Sequence, residues 1–129
     1  SKDERAFRLW MNSLNLEDVY IGDLCSEVKD GLALLKVLTL LDPAAIDWKI
    51  IDKKPNNTFK MGINCGEVIK GCKKLGLKIP GIGGADINQG NKKLILAMVW
   101  QMVRMHYLQI IGNQSEDQLV QWANSMVPD

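Results

Sequence analysis

The segment DGLALLKVLTLL (residues 30–41) decides the fold of this chain. Eight of its twelve residues are Leu, Val or Ala, and polar side chains interrupt the run only at Lys36 and Thr39 after the opening aspartate. A helix that is apolar almost all round is buried at the centre of a domain. Asp42-Pro43 ends it, because proline cannot continue the backbone hydrogen-bond ladder. The segment therefore predicts a central helix on which the other elements pack.

An amphipathic helix precedes this central segment. Its inner stripe is Phe7, Trp10, Met11 and Leu14, at the i, i+3, i+4 and i+7 spacing of one helical face. The opposite face carries Arg5, Arg8, Leu9 and Asn12. Leu9 is therefore predicted to be an exposed apolar side chain among polar neighbours.

Two further helices are predicted after the central segment. Residues 44–62 have the turn signals of a loop, and a second amphipathic helix begins near Asn64 and ends at Gly76. A third, long helix runs from Asn91 to about Ile110. Its apolar positions, which include Trp100 and Tyr107, cover all but a narrow strip, so it too is expected to be central. No useful run alternates as a strand would, and the predicted class is all-α.

A last helix is predicted after Gly112-Asn113, with Ser115 and Gln118 as its capping box. It repeats the first helix at a constant offset of 112: Phe7, Trp10 and Leu14 align with Leu119, Trp122 and Met126. A short helix can also match by chance. We interpret residues 1–110 as one domain, and residues 111–129 as a linker with the first helix of a following, truncated domain.

The composition excludes several classes of protein. Sixteen basic and fifteen acidic residues give a net charge of +1, so a nucleic-acid partner is not expected. Three cysteines without a Cys-x-x-Cys pair favour a reducing, cytoplasmic setting and no disulfide or zinc site. No apolar run of membrane-spanning length was expected, nor any membrane partner. The glycine-rich residues 79–91 fit no phosphate-binding pattern. Without a nucleophile–base pair, we expect no catalytic residue, no metal and no cofactor.

The charges are unevenly placed along the chain. Residues 1–47 hold five basic and nine acidic side chains, a balance of −4, whereas residues 48–78 hold eight lysines against two carboxylates, a balance of +6. Such an asymmetry can steer an acidic partner to one region of a nearly neutral protein. A plain solvated surface rich in lysine remains the alternative.

Several motifs together resemble the calponin-homology domain. They are DGLALLKVL, the helix opening with Asn64, DINQGNKKLILAMVWQMVR and FRLWMNSL, and the resemblance covers residues 3–109. The resemblance implies four main helices plus short connecting helices around a buried central helix. AIDWK (45–49), KKP (53–55), FKM (59–61) and NC (64–65) are most similar to the third such domain of fimbrins and plastins.

This resemblance implies a binding module of an actin-bundling protein. Fimbrins carry four of these domains in two tandem pairs, so the expected partners are filamentous actin and the adjacent domain, at the cytoskeleton. The family's contact regions correspond here to Arg5, Arg8, Leu9, Asn12, Trp48, Lys49, Lys53, Lys54, Lys60, Gln101 and Arg104. Trp48 could equally belong to the core. The alternative function is a single adaptor module of a signalling or microtubule-associated protein.

Overall fold

A computed structural model describes the backbone of residues 1–126 and the side chains of residues 1–112. Helices account for all of its regular structure within those residues, which confirms the all-α prediction. The helices are α1 (Lys2–Ser13), α2 (Leu24–Glu27), α3 (Leu32–Leu41), α4 (Thr58–Lys74), α5 (Gly84–Asn88) and α6 (Lys92–Met126), with a 3₁₀ turn at Pro43–Ala45. Four of them are long, and α2 and α5 are short connecting helices.

Helix α3 lies at the centre, as its composition predicts. Leu34, Leu35, Val37 and Leu38 are fully buried, and the helix contacts both α4 and α6. It begins after Gly31, whose φ of 79° lies in the left-handed region that glycine adopts without strain. Leu40 is the exception on this helix, with 45% of its surface exposed. The expectation of burial all round is therefore wrong at that position.

Helix α4 starts six residues earlier than the sequence pattern predicts. The side chain of Asn57 accepts a hydrogen bond from the backbone N–H of Lys60 at 2.8 Å and caps a helix that begins at Thr58. The expected loop over residues 58–62 is therefore helical. The predicted end is confirmed: Gly76 has a φ of 76°, and Leu77 N–H donates to the Cys72 carbonyl in the manner of a Schellman cap.

Helix α6 differs from the prediction in length and in exposure. It runs to Met126 without a break at Gly112-Asn113, so the separate last helix and its capping box at Ser115 are wrong as helix boundaries. The match between the side chains of the first and last helices lies outside the described side chains. Trp100 and Tyr107 are about half exposed, although the sequence pattern places both on an apolar stripe of this helix.

The segment Lys92–Gly112 of α6 is long and apolar enough to cross a membrane by length and composition, contrary to the expectation that no run reaches that length. Ile95, Met98 and Met102 in this segment are fully buried, and α6 contacts α1, α3 and α5. A core helix of a folded domain has these same properties. The core that α6 builds accounts for its buried positions, which make up 28% of the apolar window, and the rest of that window is not buried inside the described structure.

Candidate functional site

The loop of residues 47–57, here named the lysine loop, is held in a defined position. Buried Asn64 of α4 fixes it, since its side chain accepts from the backbone N–H of Asp52 at 3.0 Å and donates to the Asp52 carbonyl at 2.8 Å. Asp47 and Asp52 form local turns by accepting from Lys49 and Lys54 N–H. The predicted contact residues Lys49, Lys53 and Lys54 are all exposed on this loop.

Trp48 is half-buried, so it takes part in the packing and also keeps an exposed edge. Its indole N–H donates to Thr39 Oγ1 at 2.9 Å, and the ring packs against the core at the end of α3. Trp48, Lys53 and Lys54 also line a single groove on the surface. The structure therefore brings these three predicted residues together.

Lys60 lies in the first turn of α4, next to the lysine loop. Its ammonium is 3.9 Å from the Asp52 carboxylate, a partly exposed pair that adds little stability. Its neighbour Phe59 is 76% exposed, and Ile50 in the loop is also exposed. The sequence interpretation missed both apolar side chains. A large apolar residue directly before a lysine in a helix's first turn was the available signal.

The outer face of α1 is only partly open, because two of its predicted contact residues are half-buried and bonded within the chain. Arg5 and Leu9 are exposed, but the Arg8 guanidinium pairs with the carboxylate of Glu4 at 3.2 Å. Asn12 is half-buried, and its side-chain amide both donates to the Ile21 carbonyl and accepts from the Ile21 N–H. Asn12 therefore ties α1 to the loop that carries Ile21, whereas the Arg8 bond stays within α1. Both residues are half-buried, and their role as contacts stays a prediction.

Glu4, in the first turn of α1, also takes part in this arrangement. Its carboxylate accepts from the backbone N–H of Leu24 at 3.0 Å, so it ties α1 to the start of α2. With 9% of its surface exposed, Glu4 is one of two buried polar side chains among the described ones. The pair with Arg8 balances its charge, as a buried carboxylate requires.

The last predicted contacts lie on α6. Arg104 is exposed and Gln101 is half-buried, and both line a groove with Trp100 and Leu108. Phe7 of α1 stacks on Trp100 with ring centroids 6.2 Å apart, which joins this surface to α1. Trp10 and His106 make a second link between the same helices, since the indole N–H donates to His106 Nδ1 at 3.3 Å. The single histidine is therefore a half-buried packing residue.

The comparison with protein families decides the classification of this four-helix arrangement. The family model for the Calponin homology (CH) domain matches residues 1–108. The chain belongs to the calponin homology domain family. The calponin-homology fold predicted from its motifs is thereby confirmed.

This calponin homology domain is similar to fimbrins and plastins. It is 39% identical over 137 residues to Fimbrin-4 of Arabidopsis thaliana, a match that covers 98% of this chain and 21% of that protein. Plastin-1 of Homo sapiens is 32% identical, with coverage of 96% and 21%. The chain thus spans about a fifth of the length of these curated relatives.

A solved structure gives the same relationship in three dimensions. The crystal structure of the actin-crosslinking core of Schizosaccharomyces pombe fimbrin matches with a TM-score of 0.79 and 37% sequence identity. The match covers 96% of this chain and 28% of that one. The two proteins are therefore similar in sequence as well as in fold.

The cysteines of this calponin homology domain are unsuited to nucleophilic chemistry. Burial raises the pKa of the Cys72 thiol to about 12, and burial together with the nearby Asp30 carboxylate raises the pKa of Cys65 to about 12. Cys25 is half-buried, and its pKa is also raised, chiefly by burial and then by Asp23. Among residues 1–112, no group of three or more His, Cys, Asp or Glu side chains is placed to hold a metal ion.

Alkylation by iodoacetamide at pH 8 is expected to modify Cys25 well before Cys65 or Cys72. The thiolate is the reactive form, and a thiol with a pKa near 12 supplies only about one thiolate in ten thousand at that pH. Mass spectrometry of the digested protein measures the order, and unfolding in guanidinium should make all three cysteines react alike. Labelling of Cys65 or Cys72 in the folded chain at the rate of Cys25 would contradict the described burial.

Proposed function

We propose that this chain is an actin-filament binding module of a fimbrin/plastin-type cross-linking protein and acts as one member of a tandem pair of calponin homology domains. The observation that carries the proposal is the 37% identity to the actin-crosslinking core of fission-yeast fimbrin over 96% of this chain. The motifs around the lysine loop further favour the third domain of that family. We place the protein in the cytoplasm at the cytoskeleton, and we assign it a binding rather than a catalytic role.

The exposed lysines support an electrostatic contact with an acidic filament surface. Lys49, Lys53 and Lys54 project from a loop that Asn64 fixes, so little conformational freedom is lost when they meet a partner. Charges at the rim of an interface mainly raise the association rate and make binding sensitive to salt. The further contacts that we propose are Arg5, Arg8, Leu9 and Asn12 on α1, with Lys60, Gln101 and Arg104. Trp48 would contribute its exposed edge.

The neighbouring domain is the second partner that we propose. Two linked weak sites bind a repetitive filament more tightly than either alone, because the second binding event is intramolecular. We retain residues 1–110 as the calponin homology domain and residues 111–129 as the linker and first helix of a following, truncated copy, with the helix continuous with α6 as far as Met126. An isolated module is then expected to bind filaments weakly.

Charge reversal at Lys53 and Lys54 tests this function. The double variant Lys53→Glu/Lys54→Glu should bind actin filaments about tenfold more weakly in a co-sedimentation titration, since two attractive rim charges become repulsive. The difference should shrink as salt is raised, because exposed charges are screened.

The matched control is Lys73→Glu/Lys74→Glu, which changes another exposed lysine pair in the last turn of α4. Circular dichroism melting should show both variants folded. Equal binding by both variants and the unchanged protein would remove the lysine loop from the interface. If both variants bound filaments equally weakly, the lysine loop would contribute only through the net charge of the protein.

A further inference from the structure

Tyr20 projects into solvent from the loop of residues 14–23, which connects α1 and α2. It has 85% of its surface exposed, the largest exposed fraction among the large hydrophobic side chains that the structure describes. Its neighbours Val19 and Ile21 are buried. The backbone of Ile21 is fixed as well, because its N–H donates to the Asn12 side chain at 2.8 Å and its carbonyl accepts from the same side chain at 2.9 Å. The loop is thus anchored on both sides of Tyr20 and presents this one ring outward.

Two carboxylates precede Tyr20 in this loop. Glu17 and Asp18 lie three and two residues before it, and both are exposed. Lys36 donates to the Glu17 carbonyl at 2.8 Å, so it engages the backbone of Glu17 and not its carboxylate. No ion pair among the described side chains includes Glu17 or Asp18. The carboxylate of Glu27, in contrast, accepts from backbone N–H groups just before α2. Carboxylates that the fold does not use therefore lie directly before Tyr20.

A phenol in these surroundings has the properties of a tyrosine kinase substrate. The hydroxyl must reach out of the fold into the active site of another protein, and kinases select their substrates partly by the pattern of charges around that hydroxyl. Many tyrosine kinases favour carboxylates ahead of the tyrosine, because basic groups line that part of their substrate groove. Glu17 and Asp18 supply this pattern before Tyr20.

We propose that Tyr20 is a phosphorylation site for a tyrosine kinase that recognises acidic substrates. The phenolic oxygen of Tyr20 attacks the γ-phosphorus of ATP, ADP leaves with the electron pair of the broken P–O bond, and the phenol proton passes to a base of the kinase. The product carries roughly two further negative charges. Residues 1–47 already have a balance of −4, so the modification increases their charge difference from the lysine loop. This proposal does not depend on filament binding.

Tyr107 is the matched comparison, because the chain contains only these two tyrosines. Its surface is 54% exposed, but it lies within the long helix α6. Arg104 lies three residues before it, the position that Glu17 holds before Tyr20. A helical backbone and a preceding cation both oppose recognition by a kinase of acidic specificity. Exposure alone would make both tyrosines substrates, whereas the proposal selects Tyr20.

A kinase assay on the folded chain tests the proposal. The chain is incubated with a recombinant tyrosine kinase of acidic specificity and Mg·ATP, and tandem mass spectrometry locates the phosphate. We expect Tyr20 to be modified at least about tenfold faster than Tyr107. A synthetic peptide of residues 14–26 gives the rate for the same sequence without the fold, and the chain should reach at least roughly a tenth of that rate, because an exposed ring needs little local opening.

Three results of this assay would overturn the proposal. They are equal rates at the two tyrosines, a folded chain that stays unmodified although the peptide is phosphorylated, and the absence of phosphate from both. A glutamate–tyrosine copolymer, phosphorylated in parallel, verifies that the kinase is active.

Two double variants test the charge pattern itself. Glu17→Gln/Asp18→Asn removes both preceding carboxylates and should slow the modification of Tyr20 at least about fivefold. Asp3→Asn/Glu67→Gln removes the same number of charges from α1 and α4 and should leave the rate unchanged. Circular dichroism verifies that both variants are folded. Equal rates for the two variants would show that the carboxylates before Tyr20 are not recognised, and the proposal would be wrong.

Discussion

Asn64→Asp is expected to lower the free energy of unfolding by about 3 kcal/mol. The Asn64 side chain is fully buried and connects three parts of the chain. Its Nδ2 donates to the carbonyls of Asp30 at 3.1 Å and Asp52 at 2.8 Å, and its Oδ1 accepts from Asp52 N–H. Aspartate has nearly the same shape but loses both donors and places carboxylate oxygen against two carbonyl oxygens. Two acceptors and a buried charge are then left uncompensated.

Asn88→Asp is the matched control for this variant. Asn88 also donates to a backbone carbonyl, that of Lys29 at 2.9 Å, but it makes a single bond in a half-buried position. Its replacement should cost about 1 kcal/mol. Denaturant unfolding followed by tryptophan fluorescence measures both values. A loss at Asn64 no larger than that at Asn88 would show that Asn64 does not fix the lysine loop.

Gly84→Ala is expected to destabilise the domain by about 2 kcal/mol, because helices α4 and α5 approach each other too closely there for a side chain. A Cβ atom at Gly84 would lie 2.9 Å from the backbone nitrogen of Gly66 and 3.1 Å from the carbonyl carbon of Cys65. Both are backbone atoms, so neither can turn aside as a flexible side chain could. The helices must separate, and the fully buried Ile87 of α5 would lose part of its packing.

Gly66→Ala provides the opposite expectation at the same crossing. A Cβ at Gly66 meets nothing within 4 Å, and this residue lies in the middle of α4. Alanine there should raise the free energy of unfolding by about 0.5–1 kcal/mol, because glycine is a poor helix former. Thermal melting of the two variants side by side gives the comparison. Two changes of the same sign would contradict the described approach of α4 and α5.

The sequence predicts the helices that bury a continuous apolar stripe. The continuous apolar run of residues 30–41 predicts α3, and the spacing of Phe7, Trp10 and Met11 predicts the inner face of α1. The proline and glycine signals at Pro43 and Gly76 mark helix ends correctly, since these residues act on the backbone itself. The motifs that resemble the calponin homology domain also predict the fold that the family model confirms.

The environment of the predicted contact residues is harder to predict than the helices. Periodicity gives the face of the helix on which a residue lies, but not which other parts of the chain pack against that face. Arg8 and Asn12 have the spacing of an outer face, yet both are half-buried. Asn12 bonds Ile21 in the loop before α2, and Arg8 pairs with Glu4, whose carboxylate bonds Leu24 N–H. Trp100 fits an apolar stripe, but about half of its surface is exposed within the part of the chain whose side chains are described.

The lysine loop shows a second limit of local patterns. Its turns follow from Asp47 and Asp52, but the bonds that fix it come from Asn64, in the next helix. The start of α4 was missed because its first turn carries exposed residues such as Phe59 and Lys60 rather than an apolar stripe. Long-range hydrogen bonds, and first helical turns whose side chains are exposed, leave no periodic signal in the sequence.

Co-sedimentation with actin filaments tests the central claim most directly. The present chain should be compared with a version extended by about a hundred residues, which is the length needed for one further domain. The account predicts weak pelleting of the present chain, with much stronger, salt-sensitive pelleting of the longer one, because two linked sites raise the effective concentration. If neither version pellets with filaments at low salt, the chain has the calponin-homology fold without its proposed partner, and the proposed function is wrong.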